Sequence, residues 1–173
     1  MRKTVVVFGL LSGAVSSALM LLTVPFMDRI GFSGGAVIGY TGIVASFLLV
    51  YFGIRSYRDQ AATSRLTFGR AFAIGLLISL ISCAFYVVTW EFVYYKLKPD
   101  FMDQYTAYAV TRARERGASE QEIDATKQRM AQFRQMYDNP AYNAALTFME
   151  PFPIGVLVTA VSAAILRQKP QKL

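Results

Sequence analysis

Four apolar stretches run through the chain, at Thr4–Phe26, Ala36–Ile54, Ala71–Trp90 and about residues 146–166. The first three contain no Asp, Glu, Lys or Arg, and the fourth contains only Glu150. A bilayer core about 30 Å thick is crossed by roughly 20 apolar residues in a helix. In lipid a helix satisfies its own backbone polar groups, which an open strand does not. The pattern therefore predicts an all-α membrane protein with four transmembrane helices, at about residues 4–26, 36–54, 71–95 and 146–166. The 173 residues form one domain, because four spans leave no length for a separate soluble unit of ordinary size. The sizeable polar block is 96–145, predicted to be an extracytoplasmic amphipathic helical hairpin between the third and fourth spans.

Several chemistries lack their residues. The chain has no His, which removes the commonest general base and metal ligand. Its single cysteine, Cys83, lies mid-span with no thiol to pair with, and reads as a small packing residue. Asp100 and Asp103 are three residues apart but lack a third acid or a His at metal-binding spacing. No phosphate-binding glycine loop or nucleophile elbow is present. The expectation is a non-enzymatic protein with no catalytic residues, cofactor or metal. The net charge of +7 would suggest nucleic acid in a soluble protein, but here no folded basic face is on offer, and no nucleic-acid partner is expected.

The position of the charge matters more than its sum. Arg2 and Lys3, then Arg55, Arg58, Arg65 and Arg70, then Arg167, Lys169 and Lys172 fall in short segments on one side of the four-span arrangement. The link Met27–Gly35 offers only Arg29 beside Asp28, and the long 96–145 segment mixes basic and acidic residues. Both termini are therefore expected in the cytoplasm, with Lys96 and Lys98 opposing that reading slightly. A cleaved leader is not expected, because the first apolar run is longer than a signal core of about 7–15 residues.

Helix contacts in lipid favour small residues at four-residue spacing. Gly9 and Gly13, Gly35 and Gly39, Gly75 and Ser79, and Gly155 and Thr159 give each span one thin face. Packing within one bundle is the expectation, with a homodimer or an unidentified membrane-protein partner as the alternative. In the polar block, Phe101, Met102, Tyr105 and Tyr108 make one stripe and Ile123, Met130, Phe133 and Tyr137 another. Gly117 is a stop signal, Ser119 and Glu122 form a capping box, and Asn139-Pro140 is a helix start.

Candidate functional residues follow from cost. An ionisable side chain at membrane depth is expensive, which singles out Glu150 and, near the end of the third span, Glu91. Glu150 precedes Pro151-Phe152-Pro153, where missing backbone donors break the helix and leave polar backbone to line a cavity. Glu150, Pro151, Pro153 and Glu91 are the candidate set. An interfacial turn with no ligand is the alternative, and Arg29, Lys96 and Lys98 are candidate ion partners. The arginines Arg55, Arg58, Arg65 and Arg70 match anionic lipid headgroups, or serve topology alone.

The runs VIGYT (Val37–Thr41), YFGIRSYRD (Tyr51–Asp59), LTFGRAF (Leu66–Phe72), ISCAFYVVTWEFVYY (Ile81–Tyr95), MYDNPAYNAALTFMEPFPIGV (Met136–Val156) and SAAILR (Ser162–Arg167) cover most of the chain. Together they resemble the bacterial family called domain of unknown function 4199. The resemblance implies a small multi-pass protein of the bacterial inner membrane with four spans, and it implies no activity. It places Arg55, Tyr57, Arg58, Asp59, Phe68, Gly69, Arg70, Glu150, Pro151 and Pro153 at family-pattern positions. The functional expectation is an accessory or lipid-interacting component, with a small transporter or channel subunit using Glu150 as the alternative.

Overall fold

The computed structural model describes residues 1–60 and 65–168, which form helices and contain no strand. Helix α1 (Arg2–Thr23) passes through a 3-10 turn at Val24–Phe26 into α2 (Met27–Gln60). Helix α3 (Phe68–Phe92) ends in a π-helical turn, Val93–Leu97. Helices α4 (Phe101–Glu115), α5 (Glu120–Tyr137), α6 (Pro140–Met149) and α7 (Phe152–Leu166) follow. Three stretches are long and apolar enough to cross a membrane: Arg2–Gln60, Phe68–Leu97 and Pro140–Leu166. Lys169 and Lys172 lie outside the described residues, as does 61–64 of the α2–α3 link.

The 59-residue first stretch would reach about 90 Å if straight. It instead doubles back, setting Phe8 against Gly53 and Leu19 against Gly42. Helix α3 runs parallel to α1, with Gly9 on Ile81, Gly13 on Phe85 and Ser17 bonded to Thr89. Helix α7 runs antiparallel to α3, with Thr159 on Gly75 and Gly155 on Ser79. The start of α1, residues 65–67 before α3 and the end of α7 thus share one end, where the Gln168 amide bonds the Leu66 carbonyl at 2.9 Å.

Small residues make these approaches close. A Cβ at Gly13 would lie 2.7 Å from Phe85 Cβ, and one at Gly75 2.7 Å from Thr159 Cγ2. Hydroxyls bind across the same seams: Ser12 donates to the Ser46 carbonyl at 2.9 Å and lies within hydrogen-bond distance of Ser82 Oγ, at 3.0 Å. Without a hydrophobic drive between helices, such contacts and dense packing hold a bundle in lipid. Phe47, Val50, Ile54, Ile74, Ile78 and Cys83 fill its centre.

Local signals act where the sequence places them. Gly117, at φ +78, closes α4 with bonds from the Gly117 amide to the Arg114 carbonyl and from the Ala118 amide to the Ala113 carbonyl. Ser119 and Glu122 complete the capping box of α5, and Asn139 Oδ1 accepts from the Ala141 and Tyr142 amides at the start of α6. Two boundaries move. The segment Met27–Gly35, expected as a link, continues α2 and kinks at Gly31, where φ is +70 and ψ 168. The fourth apolar helix begins at Pro140, not near 146, because Asn139-Pro140 starts a helix that α7 continues.

Helices α4 and α5 fold antiparallel on each other, joined by an Arg134–Asp103 ion pair, and cover the far end of α3. Their buried stripe residues Met102 and Tyr137 meet Tyr94 there, with Trp90, Phe101 and Phe133 around them. The Trp90 indole donates to the Tyr137 phenol at 2.8 Å, and the Tyr94 phenol donates to Asp138 Oδ1 at 2.6 Å.

Candidate functional site

Glu150 and Pro151 interrupt the helix between α6 and α7. Their backbone stays near helical, with φ −72 and ψ −57 at Glu150 and φ −80 and ψ −24 at Pro151. The break is a bend and not an unwound loop. The Glu150 amide reaches the Thr147 carbonyl at 3.4 Å, and the Gly155 amide resumes the ladder on the Pro151 carbonyl at 2.9 Å. Pro151 is buried, while Pro153 sits exposed in the first turn of α7, where its missing N–H costs little.

The bend directs Glu150 toward α3. The Tyr86 phenol donates to Glu150 Oε2 at 2.9 Å, and Tyr40 of α2 interacts with the same carboxylate. No ion pair forms there among the described residues: Lys98 instead pairs with Asp28 at 2.9 Å. Glu91 is placed apart from Glu150. Its Oε1 is buried and unpartnered among the described residues, as is Asn143 Nδ2 on α6.

Glu150 forms part of the wall of a cavity of about 760 Å3. Met20, Ser16 and Ile43 line it from α1 and α2, and Tyr86 and Trp90 from α3. The capping helices roof it with Phe101, Tyr105, Tyr108, Phe133 and Tyr137. Phe32 joins that roof edge-on, its ring 5.6 Å from Phe101 and 5.3 Å from Tyr105. Ser33 and Tyr108 bond at 2.7 Å, fixing the roof to α2 just beyond the Gly31 kink. Hydrogen bonds from Ser33 and then Arg112 hold the Tyr108 phenol below the usual tyrosine range.

The fourth thin face is the one left without a helix. Gly35 and Gly39 line the cavity, and a Cβ on either would meet nothing within 4 Å. Residues 36–41 are exposed on all sides of α2. Across the cavity Leu146 and Met149 are also exposed, so the cavity opens sideways between α2 and α6. Its lining carries no Lys or Arg among the described residues. A metal site is not assembled, since no group of three or more His, Cys, Asp or Glu is gathered among them.

The candidate arginines sit at the opposite end. Arg58 bonds Asp59 at 2.9 Å, Arg55 approaches the same carboxylate at 3.7 Å, and Arg70 lies over the Tyr57 ring at 5.8 Å. Arg65 is exposed at the same end. They are remote from the Glu150 cavity and form no part of it.

Sequence reasoning singled out Glu150 but missed Tyr40 and Tyr86. Their convergence depends on how three helices cross, which spacing within one helix does not encode. A family model described as a protein of unknown function (DUF4199) matches residues 7–168. No curated protein and no solved structure matches the chain.

Proposed function

For a chain that belongs to the DUF4199 family, whose description assigns no activity, we propose a non-enzymatic membrane protein that holds one lipid-like amphiphile in the Glu150 cavity. The observation that carries this reading is the sideways opening between α2 and α6 into an apolar space with one carboxylate. A volume of about 760 Å3 falls within the roughly 300–1,000 Å3 of small-molecule sites, which combine apolar walls with few polar groups.

The proposal includes four membrane crossings, because each half of Arg2–Gln60 is long enough to span and the halves lie antiparallel. It places the chain in the bacterial inner membrane, with both termini and the α2–α3 arginines in the cytoplasm and the α4–α5 hairpin outside. The arginines Arg55, Arg58, Arg65 and Arg70 then face anionic headgroups at the inner leaflet. The thin faces of α1, α3 and α7 are used within one chain. A second copy or another membrane partner would therefore dock along α2.

Native mass spectrometry of the full chain released from lipid nanodiscs tests the cavity. One retained amphiphile per chain is expected, lost on Gly39→Phe, which projects a ring into the open space. A chain released without an amphiphile, or one that keeps it in Gly39→Phe, overturns the reading. A transport role is a second reading, favoured by the carboxylate at the α6–α7 bend. It requires that Glu150→Gln abolish flux in a chain that still inserts.

A further inference from the structure

Resting on the cavity reading above, we propose that the site selects an ammonium group, seated against Glu150 among Tyr40, Tyr86 and Tyr137, with an apolar tail leaving between α2 and α6. Charge complementarity carries the assignment. The described partners of the carboxylate are neutral phenols: Tyr86 at 2.9 Å and Tyr40 beside it. Tyr137 is close enough to interact with the same charge. No lysine or arginine lines the cavity among the described residues; Arg112 is held on Tyr108 at the roof, 2.8 Å from its phenol oxygen.

A carboxyl at low dielectric either stays protonated or is held ionised by a counter-charge; neutral phenols supply only hydrogen bonds, whereas an ammonium group supplies that charge. Aromatic rings attract ammonium cations, and cages of such rings recognise quaternary ammonium groups. An anion would meet Glu150 with no Lys or Arg in the described lining to offset it. A neutral headgroup would give the carboxyl no charge to pair with. The Gly35 and Gly39 face gives the tail an exit without a side chain in its way.

Ammonium chemistry has two sources here, an ethanolamine headgroup from the bilayer or a free lipophilic amine. The test uses the full chain in dodecyl maltoside micelles, titrated separately with phosphatidylethanolamine, decyltrimethylammonium and decyl sulfate. Trp90, the single tryptophan of the chain, lines the cavity and reports binding by its emission. Native mass spectrometry counts the bound molecules. At least one ammonium probe is expected to bind about ten-fold or more tighter than decyl sulfate, the scale of one charge-assisted contact.

Preference for the phospholipid assigns the lipid source, and preference for decyltrimethylammonium assigns the free amine. Glu150→Gln is expected to bring ammonium and sulfate probes within about two-fold of each other, and Tyr40→Leu to narrow the gap while the carboxyl itself is retained. Equal binding of ammonium and sulfate by the unaltered chain overturns the ammonium assignment. So does a ratio unchanged in both variants. In either case a signal abolished by Gly39→Phe leaves the cavity reading standing. Absence of binding by every probe overturns both.

Discussion

The phenol of Tyr86 and the carboxylate of Glu150, 64 residues apart in sequence, meet at 2.9 Å across the α3–α6 seam. The bond ties the bend of one apolar helix to the middle of another. Tyr86→Phe keeps the ring and removes the donor. Interhelical hydrogen bonds in membranes average about 0.6 kcal/mol, and those to charged groups reach about 2 kcal/mol. A loss in that range is expected in thermal unfolding of the nanodisc-embedded chain. Glu150→Gln retains an acceptor and should lose less. An unchanged midpoint in Tyr86→Phe would separate the bond from stability.

The thin faces differ in what they meet. A Cβ at Gly13 would lie 2.7 Å from Phe85, whereas one at Gly39 meets nothing within 4 Å. Gly13→Val should therefore cost about 1–3 kcal/mol by overpacking, while Gly39→Val should leave the unfolding midpoint nearly unchanged. Equal losses in the two variants would contradict the open face of α2.

Gly31 turns α2 at φ +70 and ψ 168, a region that L side chains with a Cβ avoid. Space is not the constraint, since a Cβ there meets nothing within 4 Å. Gly31→Ala should cost about 1–3 kcal/mol through backbone strain alone. It should also loosen the contact of Phe32 with the roof, raising hydrogen exchange at the start of α4. Exchange that stays at the unaltered rate would detach the kink from the roof.

The Ser119 amide donates to Glu122 Oε2 at 2.7 Å and the Ser119 hydroxyl at 2.9 Å. These bonds hold the Glu122 carboxyl below its usual range. A folded-state value depressed in this way contributes stability above the unfolded value, lost as pH falls through the folded one. Amide exchange at the start of α5 should therefore stay slow at neutral pH and quicken in acid. Ser119→Ala keeps the backbone donor, so it should cost about 1 kcal/mol of helix stability through the lost cap and only weaken the pH response, which Glu122→Gln should remove. A pH response that survives Glu122→Gln would place its origin elsewhere.

The apolar stretches, the Ser119–Glu122 box, the Gly117 stop and the Asn139-Pro140 start were legible because each is a local matter. Length against bilayer thickness, or one side chain against a nearby backbone donor, decides them. Glu150 was legible too, because an acid inside an apolar stretch is costly whatever it touches. The helical state of Met27–Gly35 was not. Its glycines and Ser33 read as a link, while docking of Phe32 and Ser33 on α4 supports a helix with one kink. Sequence alone thus determined the helices, their apolar character and the carboxylate at the bend. The tertiary structure decided that α1 would lie parallel on α3, that Tyr40 and Tyr86 would meet Glu150, and that the Gly35–Gly39 face would stay open. Four similar small-residue faces admit several pairings, and only the close packing of three of them determines which is left to border a cavity.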